Sequence, residues 1–163
     1  MGHLMAVKNR GRSRMVLEQL DLEPGDRVLE IGFGPGVDLR TVSRRCEWVA
    51  GIDHSEEMLR QARRRNLRAI ETGGVELRRG TAEALPFDDD SFDKAFSINS
   101  VQFWPDLDGG IRELRRVLRP GGRAVLAIQP RQPRANLRIA RSWETKLVRE
   151  TQAAGFSSVR GVL

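Results

Sequence analysis

Val28-Leu29-Glu30-Ile31-Gly32-Phe33-Gly34-Pro35-Gly36 is the stretch on which the reading of this 163-residue chain turns. A short apolar run carries an acid near its end, and three glycines follow at alternate positions. Glycine has no Cβ and tolerates positive φ, so a turn built on it lies directly against a ligand that a side chain would hold away. A helix starting after such a turn aims its free N–H groups at the same place. The stretch predicts a strand, a ligand-facing turn and a helix.

Two details select the ligand. A dinucleotide fold spaces its glycines as GxGxxG, with the third packing helix on strand. Here the third arrives one residue early, at Gly36, and Val37 holds the expected position. Glu30, two residues before Gly32, would repel a pyrophosphate but suits a ligand bearing ammonium or sulfonium groups. Both details favour S-adenosylmethionine over NAD. The plain alternative, a turn whose glycines serve only geometry, loses ground with the residues downstream.

Beyond the turn, Val37 to Cys46 has Leu39, Val42 and Cys46 at helical spacing. Trp48 to Asp53 is a second apolar run ending in an acid, and Ser55-Glu56-Glu57 opens another helix with a polar cap and first-turn acids. The alternation continues through strands at Val75 to Arg79 and Asp93 to Ile98 and a helix from Leu107 to Leu118, which Arg119-Pro120-Gly121-Gly122 should end. Arg123 to Ile128 reads as a fifth strand, apolar enough to be covered on both faces. After a loop over Gln129 to Arg134, Leu137 to Ala154 reads as a helix and Ser157 to Leu163 as a last short strand. Residues 1–20 read as an N-terminal helix with Met5, Met15, Val16, Leu17 and Leu20 as its apolar contacts, and 21–163 as one domain. The expected fold is α/β, a doubly wound, mostly parallel Rossmann-like sheet with helices on both faces.

Composition narrows the function. Cys46 is the only cysteine and His3 and His54 the only histidines, so neither an internal disulfide nor a zinc-type cluster is expected, and Cys46 reads as an inert, buried thiol. No run of about 18 apolar residues occurs, and the basic N-terminus does not resemble a signal sequence, so a cytoplasmic protein without a membrane span is expected. The net charge of +6 raises nucleic acid as a partner. Arginines recur on nearly every presumed helix, however, and read as solvated faces, while the absence of tyrosine weakens a base-stacking platform.

Four motifs in order resemble those of class I S-adenosylmethionine-dependent methyltransferases, most closely the type 11 domain shared with ubiquinone and menaquinone biosynthesis methyltransferases, over about Leu20 to Phe156. In the first, the resemblance places Glu30, Gly32, Phe33, Gly34 and Gly36 around the methionyl part of the cofactor. In the second, Gly51 to Met58, it makes Asp53 the acceptor of both ribose hydroxyls, with His54 beside it and Met58 on the adenine face. A carboxylate offers several lone pairs to two neighbouring donors. In the third, Gly80 to Phe87, it brings Thr81, Ala82 and Glu83 to the adenine, although many relatives carry Asp where this chain has Thr81. In the fourth, Ser97 to Asp106, it places Ser97 and Asn99 beside the cofactor and Gln102 near a position where many relatives carry His.

Such a protein transfers a methyl group by direct displacement, for which positioning supplies most of the help. A base is optional, and Asn99, Gln102, His3 and Asp106 are the candidates for one. The resemblance implies a small-molecule acceptor. RNA or a protein as acceptor, and cofactor binding without turnover, stay open as alternatives. Relatives usually add a seventh, antiparallel strand beside the fifth. The chain stops before one, so either a shortened sheet or a homodimer through an exposed sheet edge is expected, with residues 1–20 as the main roof of the site.

Overall fold

The computed structural model describes residues 2–129 and 137–161, and side chains from residue 11 onward. In chain order the elements are α1 (Gly2–Leu20), β1 (Arg27–Ile31), α2 (Val37–Val42), β2 (Trp48–Asp53), α3 (Glu56–Glu71), β3 (Val75–Arg79), β4 (Phe92–Ile98), a 3-10 turn at Val101–Phe103, α4 (Leu107–Val117), β5 (Leu118–Ala127) and α5 (Leu137–Ala153). The five strands form one sheet in the order β3-β2-β1-β4-β5, parallel throughout. The order reverses between β1 and β4, and ligands of such sheets settle at the carboxyl ends beside that reversal.

Strand alternation sorts the core into two layers. Val28, Val49 and Phe96 meet Val16, Leu17 and Leu20 of α1, Leu39 of α2 and Leu59 and Ala62 of α3. Leu29, Ile31, Ala50, Ile52 and Ala95 meet Leu114 and Val117 of α4 on the opposite face. Glu30 falls in the first layer, level with Gly51 on β2 and Phe96 on β4. Interior parallel strands need apolar side chains on both faces, so one acid in the central strand stands out.

The doubly wound sheet is as expected, with differences at element ends. α2 stops at Val42, where the Ser43 N–H bonds to the Leu39 carbonyl, four residues before the expected end at Cys46. α4 ends at Val117 and β5 follows at Leu118, but Arg119 to Gly122 bulge out of the pairing, which passes from Leu118 opposite Phe92 to Arg123 opposite Lys94, with Gly121 at φ 80°. That chain can extend because Leu118 pairs with Phe92 at the foot of β4. β5 is an outer strand, its Ala124 to Ala127 only half-buried, because α1 and α5 stand apart as walls of a groove of about 870 Å³ along it. Residues 157–161 form no strand, and Gly161 packs against Glu144 of α5 instead. The remainder of that expected strand, the loop over 130–134 and the side chains of His3 and Met5 lie outside the described residues. Met15 is 50% exposed, not part of the core. Cys46 is half-buried with its Sγ near the carbonyls of Val42 and Trp48, and burial pushes its pKa up to about 11, which keeps it an inert thiol at neutral pH.

Candidate cofactor site

The glycine turn follows β1, and each glycine has its own reason. Gly32 has φ 78°, and a Cβ there would overlap the Ser100 side chain, so the segment after β4 crosses directly over it. A Cβ on Gly36 would fall 2.7 Å from Ala62 Cβ, which lets α3 approach the turn closely. Gly34, at φ 52°, faces open space: a Cβ there would meet nothing within 4 Å. That open space is where a ligand can lie against backbone. Phe33 turns the other way: its side chain is buried beneath the turn against Gly51, so it supports the site from the core and does not line it.

Asp53 ends β2 and ties the turn to the next element. Its Oδ2 accepts the Gly34 N–H at 2.8 Å and its Oδ1 the Ser55 N–H at 2.9 Å. A carboxylate has about four lone-pair positions, so acceptor capacity is left over. Ser55 caps α3 through the Met58 N–H at 3.3 Å, which places half-buried Met58 in the first turn beside Asp53. His54 points outward, its side chain 81% exposed, with Nδ1 3.8 Å from Asp53.

Glu30 lies behind the turn, fully buried, with Oε2 lacking a hydrogen-bond partner among the described residues. Burial, reinforced by Asp38 and then Asp53, holds its pKa well above the usual carboxylate range, offset in part by the Leu39 N–H. Burial likewise raises Asp38, opposed by a hydrogen bond from Ser13 of α1. Three carboxylates thus surround one glycine turn, and neither Glu30 nor Asp38 has a cationic partner among the described residues. An uncompensated buried acid costs stability unless something positive arrives. This set of acceptors fits a ligand with cationic groups and a pair of hydroxyls.

The loop after β3 carries Thr81, exposed, Ala82, buried in the second core layer, and Glu83, whose Oε1 accepts the Asp106 N–H at 3.3 Å. The Gly80 N–H bonds to the Asp53 carbonyl at 3.1 Å, bringing the start of this loop to the end of β2. After β4, Ser97 is buried with Oγ unpartnered. Asn99 adopts φ 57° and its Oδ1 accepts the Gln129 N–H at 2.8 Å, a bond that fastens β4 to β5 and leaves little scope for a base. Asp106 caps α4 by accepting the Gly109 N–H at 3.0 Å. Gln102 has an unpartnered buried Oε1, whereas Phe103 is 72% exposed and Trp104 donates to Ser100 Oγ at 3.2 Å.

Three supporting residues escape a reading of the sequence. Asn66 is buried on α3 and donates to the Gly36 carbonyl at 2.9 Å. Its only signal is a polar residue in register with Leu59 and Ala62. Ser100 crosses Gly32, with no signal in sequence. Arg116 of α4 holds the loop after β3 through the carbonyls of Leu85 at 3.0 Å and Phe87 at 2.8 Å, while pairing with Glu113 and Asp89.

Comparison with known proteins defines the class. Residues 29–126 match the family described as "Methyltransferase domain". The chain is 35% identical to an uncharacterized methyltransferase, YdaC, of Bacillus subtilis over 160 residues, covering 97% of this chain and 86% of that one. It is 32% identical over 114 residues to a demethylmenaquinone methyltransferase of Corynebacterium efficiens, covering 70% of this chain and 46% of that one. A SAM-dependent methyltransferase from Aquifex aeolicus shares the fold with a TM-score of 0.73 at 23% identity, over 91% of this chain and 81% of that one. The chain belongs to the methyltransferase domain family, and its cofactor is S-adenosylmethionine.

Proposed function

We propose that this protein transfers the methyl group by in-line displacement to a small-molecule acceptor that enters beside the segment after β4. Bound S-adenosylmethionine supplies a methyl group on a sulfonium, whose leaving group departs neutral. The chain's own residues bind and orient. Asp53 keeps Gly34 and the start of α3 fixed while offering its remaining lone pairs to the ribose hydroxyls, and Glu30 and Asp38, whose charged forms burial disfavours in the free protein, favour a positive charge in front of the turn on becoming ionised. Gly32, Gly36, Met58, Thr81, Ala82, Glu83, Ser97 and Asn99 shape the rest of the cofactor's bed, with His54 at its rim. No poised base is needed for such a transfer, and positioning contributes roughly 7 to 11 kcal/mol to reactions of this kind.

The first twenty residues serve as the roof. α1 is fixed to the sheet by Val16, Leu17 and Leu20. It runs antiparallel to β5, with the Gln19 carbonyl at Arg123 near the start of that strand and Arg12 at Gln129 just past its end, so its N-terminal half extends beyond the carboxyl end of β5.

The observation that carries the reading is the buried Asp53 carboxylate joining the glycine turn to α3 with acceptor positions to spare. Calorimetry with S-adenosylhomocysteine tests it. Asp53→Ala should cost about 2 kcal/mol or more in binding, with thermal melting recorded in parallel to confirm a folded variant. An unchanged dissociation constant would remove Asp53 from the site, and a folded wild-type protein that ignores the ligand would defeat the whole reading.

A further inference from the structure

Charge is divided unevenly along this chain. Residues 21–129, which build the sheet and the cofactor site, hold nineteen acidic side chains against seventeen basic ones. Residues 1–20 hold four basic against one acidic, and residues 130–163 seven against two. The positive excess therefore belongs entirely to the two end segments. The helices described in these segments, α1 and α5, are neighbours: Arg12, Met15 and Gln19 of α1 and Ala140, Trp143 and Leu147 of α5 line opposite walls of the groove along β5. Arg12 also reaches the Gln129 side chain at the end of that strand.

α5 is sorted by face. Trp143, Leu147 and Val148 are half-buried and turn toward the groove. Arg138, Arg141, Ser142, Thr145, Lys146 and Arg149 cluster on the other side, all exposed, with no carboxylate among them. Both acids of the helix are engaged elsewhere or locally, Glu144 against Gly161 and Glu150 with Arg149. From residue 138 to 149 the face runs about 16 Å at 1.5 Å per residue. Arginine, lysine, serine and threonine are the side chains that hold phosphate oxygens.

We propose that this face of α5 is a docking surface for the phosphodiester backbone of RNA. Charge complementarity names a polyanion, and the net-negative body of the domain orients the chain with the α1–α5 flank toward it. A lipid surface fits less well, because α5 turns its apolar side toward the groove beside β5 and has only Leu137, at its first residue, left exposed for insertion. The face carries no aromatic side chain for base stacking, so it contacts backbone and recognises structured RNA without reading its sequence. This surface is independent of which acceptor receives the methyl group.

Fluorescence anisotropy of the full chain with a labelled RNA duplex of about 20 base pairs tests the proposal. Four cations meeting four phosphates of a duplex give a slope of about −3.6 in log affinity against log salt, so affinity falls about 150-fold between 50 and 200 mM salt. Arg138→Ala with Arg141→Ala should flatten that slope by about two and weaken binding at least tenfold at 50 mM salt, leaving S-adenosylhomocysteine binding unchanged. Arg63→Ala with Arg64→Ala, an equal charge change on exposed positions of α3, should alter RNA affinity by less than about twofold. Absence of RNA binding at 50 mM salt overturns the proposal. So does equal weakening by the α3 pair, which would reduce the effect to net charge, or binding confined to phosphatidylglycerol vesicles.

Discussion

Glu30 shows how one residue links sequence, stability and ligand. Its protonated form is favoured by burial, by Asp38 and by Asp53, while only the Leu39 N–H and no cation among the described residues favours the charged form. In the unfolded chain the carboxyl ionises near pH 4.3, whereas in the folded protein it holds its proton to higher pH. The folded state therefore binds more protons than the unfolded one above about pH 4.3, and stability falls as pH rises from there toward the folded pKa. Glu30→Gln keeps the neutral shape. It should melt within about a degree of wild type at pH 4 and a few degrees higher at pH 7 to 8, measured by thermal denaturation without ligand. Saturating S-adenosylmethionine should narrow that gap, since a cationic ligand rewards only the acid. A variant no more stable at pH 8 than at pH 4, relative to wild type, would show that Glu30 is ionised and compensated in the free protein. An acid inside an apolar strand makes Glu30 conspicuous in the sequence; its lack of a partner emerges only with β2, β4 and α2 packed around it.

Among the elements, the cofactor site is a set of strand ends whose loops are held by helices behind them. Arg116 is the clearest case. From α4 it satisfies the carbonyls of Leu85 and Phe87 and pairs with Glu113, whose Oε2 accepts the Leu85 N–H at 2.8 Å. Those bonds hold the carbonyl groups of the same loop that presents Thr81 to Glu83. Arg116→Ala leaves them unpaired and should lower stability by about 1 to 3 kcal/mol in urea denaturation. It should also weaken S-adenosylhomocysteine binding more than binding of methionine alone, because the adenine side of the bed loosens first. Equal losses for both ligands would mean a general softening of the domain. Periodicity locates α4 and the loop correctly, yet a side chain reaching back some thirty residues leaves no local pattern to read. The same reason explains Asn66 and Ser100.

Across the molecule as a whole, the sheet is closed on one side by charge and open on the other. β3 ends the sheet with Glu76 and Arg78 paired on it, a charged edge that discourages further pairing. β5 ends it with apolar residues beside the groove between α1 and α5. The overhang of α1 makes a separate prediction. Removing residues 2–12 spares Val16, Leu17 and Leu20, so the melting temperature should drop by no more than about 3 °C. Stopped-flow fluorescence should show cofactor dissociation accelerated at least about tenfold, or about 1.4 kcal/mol. An unchanged dissociation rate would leave α1 a packing element without a role as a roof.

Read alone, the residues establish the alternating elements, the glycine turn, the acid at the end of the second strand and, through four motifs in order, the methyltransferase class. These are local matters: side-chain period, backbone freedom at glycine and short spacings survive without knowledge of what packs against them. It took the packed chain to reveal that Phe33 belongs to the core, that Asn99 fastens two strands, that the fifth strand lies at the edge of the described sheet, and that the helices α1 and α5 share one flank. Each depends on groups far apart in the chain meeting in space, where burial and distance set the energy of a contact and sequence separation does not.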